Sequence, residues 1–106
     1  MLSKTILITA VTAATLAASG AALADGAAIP PAARLAATCA ACHGTNGATQ
    51  GGTLPPLAGL PQPVLSAALR EFKAGKRQAT IMTQIAKGYT DQQIDQLAAW
   101  FAAQKP

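Results

Sequence analysis

The chain contains few residues of the kinds that build binding sites. Its 106 residues include two cysteines, one histidine and only four aspartates and glutamates together. This supply excludes a structural zinc site, which needs four nitrogen or sulfur ligands, usually in two separated pairs. Basic residues are few and no aromatic residues are interleaved with them, so nucleic-acid binding is not indicated. No segment alternates as a strand does, and we find no internal repeat or second domain.

The cysteines and the histidine all lie in one short segment, Cys39-Ala40-Ala41-Cys42-His43. This spacing is typical of covalent attachment of a c-type haem. Two thiols three positions apart reach the porphyrin vinyl groups, and the next residue is placed to ligate the iron. Two alternatives are weaker. A thioredoxin-like redox pair needs a βαβ setting that the Ala-rich and Pro-rich flanks do not suggest, and a disulfide here would close a very short loop and stabilise little.

The N-terminus has the features of a secretory signal. Lys4 precedes an uncharged apolar run over residues 5–18, and Ala22-Leu23-Ala24 offers a small-x-small cleavage site before Asp25. We predict that residues 1–24 are a removed signal peptide and that residues 25–106 form one domain. The alternative is a retained membrane anchor, because the uncharged span that ends at Ala24 is just long enough to cross a bilayer.

Size and charge agree with a small cofactor-binding domain. A domain of residues 25–106 has a thin core and commonly needs a disulfide, a metal or a cofactor to stabilise it. The formal charge of the whole chain is +4, and loss of Lys4 together with two haem propionates leaves the assembled protein only mildly basic. A basic rim that steers an acidic docking partner is the simplest use of this charge.

The apolar pattern predicts four short helices. The first begins with Pro31, which suits an initial helical position, and runs over residues 32–38 to the haem segment. The second covers residues 62–74 and is stopped by Gly75, and the third lies within residues 80–88. The last begins at Thr90 with a capping-box partner, Gln93. The predicted buried positions of the second and last helices are Leu65, Ala68, Leu69, Phe72, Ile94, Leu97, Ala98 and Phe101.

Two further features bear on the predicted haem site. Residues 54–61 are too rich in proline for a helix or a central strand, and a prolyl carbonyl there can accept the N–H of the proximal imidazole. Met82 is the only methionine left after removal of the signal, and its thioether could occupy the sixth iron position. The alternative is that Met82 fills a gap in the core.

Taken together, these segments resemble the class I, low-spin, monohaem cytochromes c. The resemblance implies an all-α cytochrome c fold of about four short helices around one covalent haem c. It assigns Cys39 and Cys42 to the thioether bonds, His43 and Met82 to the axial iron positions, and Pro55 to the carbonyl behind the imidazole. The segments that carry it are Cys39-Ala40-Ala41-Cys42-His43-Gly44, Pro55-Pro56-Leu57-Ala58-Gly59, Phe72-Lys73-Ala74-Gly75, Met82 and the aromatic C-terminal helix.

Within this class, three segments look like the cytochrome subunit of flavocytochrome c sulfide dehydrogenase: Leu35-Ala36-Ala37-Thr38-Cys39, Phe72-Lys73-Ala74-Gly75 and residues 80–89. In that family a flavoprotein subunit oxidises sulfide and passes electrons to the haem. The resemblance therefore implies a periplasmic, non-catalytic electron-transfer subunit. Two alternatives stay open: a free soluble carrier that serves an oxidase or reductase, and a haem sensor or peroxidase with an open iron site.

Overall fold

The computed structural model describes residues 26–52 and 54–106, so the predicted signal peptide and its cleavage site lie outside the described residues. In the described ranges, five α-helices follow one another: α1 (Pro31–Ala37), α2 (Ala40–His43), α3 (Gln62–Lys73), α4 (Met82–Lys87) and α5 (Asp91–Ala102). A 3-10 turn covers Thr45–Gly47. The described residues contain no strand, which confirms the all-α class. Among these residues, no helix has both the length and the apolar character that a membrane span requires.

The described part of the chain has one helix more than the four predicted, and this additional helix is α2, in the predicted haem segment. The sequence predicted a single helix before this segment, up to residue 38. The amide of Cys39 donates to the carbonyl of Ala36 (3.0 Å), and the hydroxyl of Thr38 donates to the carbonyl of Leu35 (2.9 Å). These bonds end α1 at Ala37. The carbonyl of Cys39 then accepts from the amide of His43 (2.8 Å) and starts α2. Cys39 is therefore the N-cap of the helix that contains Cys42.

The other helix ends follow local chemistry. Thr90 and Gln93 form the predicted capping box at the start of α5, and α3 is followed by Gly75 with φ of +71°, a conformation that glycine adopts without strain. The predicted third helix is shorter than residues 80–88. It begins only at Met82 because Ile81 has non-helical angles (φ −133°, ψ −23°).

The core lies between α1, α3 and α5, and its buried cluster comprises Ala36, Leu65, Leu97, Ala98 and Phe101. The predicted stripe of α5 is confirmed, since all four of its residues are buried. On α3 only Leu65 of the predicted stripe is fully buried, and the rest are half-buried. Helix α4 packs against α3 and α1 packs against α5. The Ala-rich first helix thus joins the two ends of the domain.

Polar contacts add a second link between α3 and α5. Ser66 is 7% exposed and donates a hydrogen bond to Asp95 (2.9 Å), which also pairs with Arg70 (2.7 Å). Lys73 pairs with Asp91 at 2.8 Å. The hydrogen bond from Ser66, supported by Arg70, lowers the pKa of Asp95, and the hydrogen bond from Lys73 lowers the pKa of Asp91. Both carboxylates therefore take part in the contacts between α3 and α5.

Candidate haem site

His43 is the last residue of α2 and is 9% exposed. Its Nδ1 atom lies 2.8 Å from the carbonyl oxygen of Pro55. A carbonyl can only accept a hydrogen bond, so Nδ1 carries the proton and donates it. Nε2 is then the imidazole nitrogen with a free lone pair, which is the tautomer that a metal-ligating histidine needs.

The Pro-rich segment that carries the Pro55 carbonyl is held by backbone contacts of the residues that follow Pro55. The carbonyl of Gly47 accepts from the amides of Leu57 (2.9 Å) and Ala58 (3.2 Å), and the amide of Gly59 donates to the carbonyl of Phe101 (2.9 Å). The segment is thereby fixed both to the turn that follows the haem motif and to the end of α5.

Gly47 makes this close approach possible. Its φ is +77°, and a Cβ atom at this position would lie 2.8 Å from Cβ of Leu57 and 2.9 Å from Cδ1 of Phe101. Both distances are shorter than real Cβ contacts, and the conformation is unfavourable for any other residue. The identity of residue 47 therefore sets how closely the Pro-rich segment can approach His43.

The two thiols are presented on one turn. Cys39 is half-buried between α1 and α2, Cys42 is exposed on α2, and both are free. Residues three apart on a helical turn lie on the same face. Burial raises the pKa of the Cys39 thiol, against the opposing effect of the neighbouring Thr38 hydroxyl. The segment thus offers two free thiols and an imidazole whose Nδ1 atom lies against a main-chain carbonyl.

Met82 is the first residue of α4 and is half-buried. The flanking side chains Ile81 and Ile85 are 58% and 38% exposed, which is unusual for large apolar residues so close together. A porphyrin has a large apolar face, and these side chains offer the kind of surface that it covers. The donor set, the thiols and this exposed apolar surface all fit a covalently bound haem.

A cavity of about 520 Å³ lies beside Cys42, between α2 and the glycine-rich loop that ends at Leu54. Neither His43 nor Met82 lines it. The cavity therefore borders the attachment segment and is not the place where the two predicted iron ligands meet.

The structure also shows contacts that the sequence did not indicate. The hydroxyl groups of Tyr89 and Thr38 lie 2.9 Å apart and connect the second residue after α4 to the residue just before Cys39. The buried Ser66 contact was likewise not predicted, because Ser66 falls beside the apolar stripe of α3 and carries no periodic signal. Both contacts join distant parts of the chain, so no local pattern could have identified them.

A buried histidine with one nitrogen held by a main-chain carbonyl, next to two free thiols in an all-α fold, defines a protein of the covalent haem c class. The chain belongs to the cytochrome c family, since the family model described as "Cytochrome c" matches residues 23–105. Haem c is accordingly its cofactor, and electron transfer is the activity of its class.

Comparison with characterised proteins places the chain near several bacterial cytochromes. It is 39% identical over 67 residues to the "Cytochrome subunit of sulfide dehydrogenase" of Chlorobaculum tepidum. It is 40% identical over 87 residues to the "Thiosulfate dehydrogenase electron acceptor" of Thiomonas intermedia. It is also 34% identical over 71 residues to "Cytochrome c-554(548)" of Halomonas halodenitrificans.

The matched regions differ in extent. They cover 63%, 81% and 64% of this chain, in the same order. The chain spans 60% of the length of the sulfide dehydrogenase subunit, 39% of the thiosulfate dehydrogenase acceptor and 86% of the Halomonas cytochrome.

Proposed function

We propose that this chain is a periplasmic electron-transfer cytochrome in which Cys39 and Cys42 form the thioether bonds and His43 and Met82 ligate the haem iron. The observation that carries the proposal is the 2.8 Å contact between Nδ1 of His43 and the carbonyl of Pro55. It leaves Nε2 free to ligate beside the two thiols. The bound haem supplies reversible one-electron chemistry.

The side chains tune and protect this cofactor. The hydrogen bond to Pro55 fixes the orientation of the His43 ring. A neutral, soft thioether from Met82 favours the reduced iron and raises the reduction potential. No acid, base or nucleophile is required. Asp91 and Asp95, the two carboxylates on α5, are engaged by Lys73 and Arg70, which agrees with a non-catalytic role.

The proposed electron donor is a sulfide-oxidising flavoprotein subunit. The similarity to the sulfide dehydrogenase cytochrome subunit supports this proposal. A second candidate is a freely diffusing carrier, favoured by the similarity to a protein named for accepting electrons from thiosulfate dehydrogenase. Purification of the native protein from the periplasm discriminates between them. A flavin-containing chain that co-elutes in fixed ratio supports the first, and a monomer free of flavin supports the second.

Replacement of the sixth ligand tests the iron coordination. Met82→Ala should retain covalent haem, lose the sulfur-to-iron charge-transfer band and show a much lower reduction potential. Gln84→Ala, an exposed change on the same helix, is the matched control and should match the wild type. An unchanged potential in Met82→Ala would refute the assignment of Met82. A wild-type ferric protein that lacks the band and binds cyanide or carbon monoxide readily would instead indicate an open-site sensor or peroxidase.

The export proposal has its own test. Mass spectrometry of the periplasmic protein should give an N-terminus at Asp25, with residues 1–24 absent. A membrane-associated protein that retains these residues would support the alternative anchor.

A further inference from the structure

Two hydroxyl groups from distant segments meet beside the haem motif. Oγ1 of Thr38 lies 2.9 Å from the carbonyl oxygen of Leu35 and 2.9 Å from the hydroxyl of Tyr89, a residue 51 positions along the chain. A threonine hydroxyl has one proton, and the carbonyl can only accept. Thr38 therefore donates to Leu35 and accepts from Tyr89, which makes Tyr89 the donor of the long-range bond.

The bond joins the two segments that bear the proposed axial ligands. Thr38 directly precedes Cys39 and the turn that leads to His43, and Tyr89 follows α4 after one glycine. Helix α4 has six residues, so its ends lie only about 9 Å apart. Tyr89 thus holds the C-terminal end of a single short helix whose N-terminal residue is Met82.

Helix α4 packs against α3 but buries little of its own surface. Ala86 is its only buried residue, and Ile81 and Ile85 at its start and middle are exposed. A six-residue helix is not stable alone, because the cost of the first turn exceeds what so few hydrogen bonds return. Elements with few buried contacts open locally at low free energy. The bond from Tyr89 therefore adds a second anchor to the packing of this helix on α3.

We infer that Tyr89 is a positioning residue for Met82: its hydrogen bond to Thr38 holds α4 against the haem-attachment turn and slows dissociation of the thioether from the iron. The inference rests on the proposed ligation by His43 and Met82. Tyr89 acts through the backbone of α4 and touches no reacting atom in this role.

The test is the rate at which cyanide binds to the ferric holoprotein, because an external ligand enters only when Met82 has dissociated. Tyr89→Phe removes one hydroxyl and keeps the ring. We expect covalent haem to be retained and cyanide to bind about fivefold faster, which corresponds to the net contribution of one hydrogen bond. The sulfur-to-iron band should also disappear at a lower temperature than in the wild type.

Substitutions of Thr38 provide the matched controls. Thr38→Val deletes the acceptor and should reproduce the faster binding, whereas Thr38→Ser keeps the hydroxyl and should bind cyanide at the wild-type rate. Thr38→Val also deletes the bond to the Leu35 carbonyl, so the double variant Thr38→Val with Tyr89→Phe should be no faster than Thr38→Val alone, in which the bond to Tyr89 is already lost. Additive effects of the two changes would overturn the inference.

Amide hydrogen exchange of the same holoproteins distinguishes a local effect on α4 from a general loss of stability. In Tyr89→Phe we expect faster exchange in α4 and unchanged exchange in α5, and equal acceleration in both helices would overturn the positioning role. A wild-type protein with the sulfur-to-iron band, combined with unaltered cyanide binding in Tyr89→Phe, overturns this inference and leaves the ligand assignment standing. A wild-type protein without the band overturns the assignment of Met82, and the inference with it.

Discussion

The two sides of this domain are stabilised in different ways. Between α1, α3 and α5, the side chains of Ile94, Leu97 and Ala98 are at most 1% exposed, and ion pairs link α3 to α5. On the other side, backbone hydrogen bonds tie residues 57–59 to Gly47 and Phe101, and α4 buries only Ala86. The first side thus has a core of protein contacts alone, and we expect the second side to depend on the cofactor.

Loss of the haem should produce the largest difference in local stability between the two sides. In Cys39→Ala with Cys42→Ala, we expect no covalent haem, because both sulfur atoms are gone. The amides of α4 should exchange with solvent far faster than those of α5, whose core is made of protein contacts alone. Haem staining after denaturation and hydrogen exchange measure both effects. Equal protection of α4 and α5 in this variant would show that the cofactor does not stabilise the site side.

A cavity in the core should weaken the whole domain. Leu97→Ala removes a fully buried side chain and should lower the free energy of unfolding by about 2–5 kcal/mol, as measured by denaturant titration. The sulfur-to-iron band should persist below the transition, because α4 is not the element altered. Gln96→Ala, an exposed change on the same helix, should stay within about 0.5 kcal/mol of the wild type. Similar effects of the two changes would contradict the assigned core.

Two glycines with nearly equal φ form a matched pair. A Cβ atom added at Gly47 (+77°) would meet close neighbours, whereas one added at Gly75 (+71°) would have no heavy atom within 4 Å. Gly75→Ala should therefore cost only the unfavourable backbone, about 1–2 kcal/mol. Gly47→Ala should cost about 1–3 kcal/mol more, because Leu57 and Phe101 must shift. Equal free energies of unfolding would contradict the close approach at Gly47.

The smallest expected effect is on the stability of the protein at acidic pH. The pKa values of Asp91 and Asp95 are lowered in the folded protein, so their ion pairs stabilise it fully above the ordinary aspartate pKa. This stabilisation is lost as the pH falls through the lowered values. Asp95→Asn should make the free energy of unfolding less dependent on pH in that acidic range, as followed by denaturant titrations. Glu71→Gln is the control, because Glu71 pairs with Arg77 and lies outside the α3–α5 contacts. It should change this pH dependence less.

Much of the fold could be predicted because local signals agree with the final packing. The stripe of α5 and its Thr90 cap lie within one amphipathic helix, and both are present in the structure. The short helix α2 was not predicted, since the predicted first helix ends at residue 38, before the haem segment. It depends on the side chain of Thr38 and on the turn at Cys39.

The candidate site was predictable in its chemistry and less so in its geometry. The Cys39 to His43 segment carries its own signal in five residues, but the position of the Pro55 carbonyl depends on a tertiary contact with Gly47. The bond between Tyr89 and Thr38 joins residues 51 positions apart, and no periodicity encodes such a pair. The iron-binding roles of His43 and Met82 remain predictions.

The partner of the imidazole is a main-chain oxygen, and this has a practical consequence for redesign. Exchanging the side chain at residue 55 leaves the acceptor atom in the chain, so no single substitution there can delete it. Tuning of the iron through this contact would have to come from altering the length or course of the loop between Gly47 and Pro55. A protein engineer would therefore adjust this cytochrome by insertion and deletion in that loop before turning to point changes.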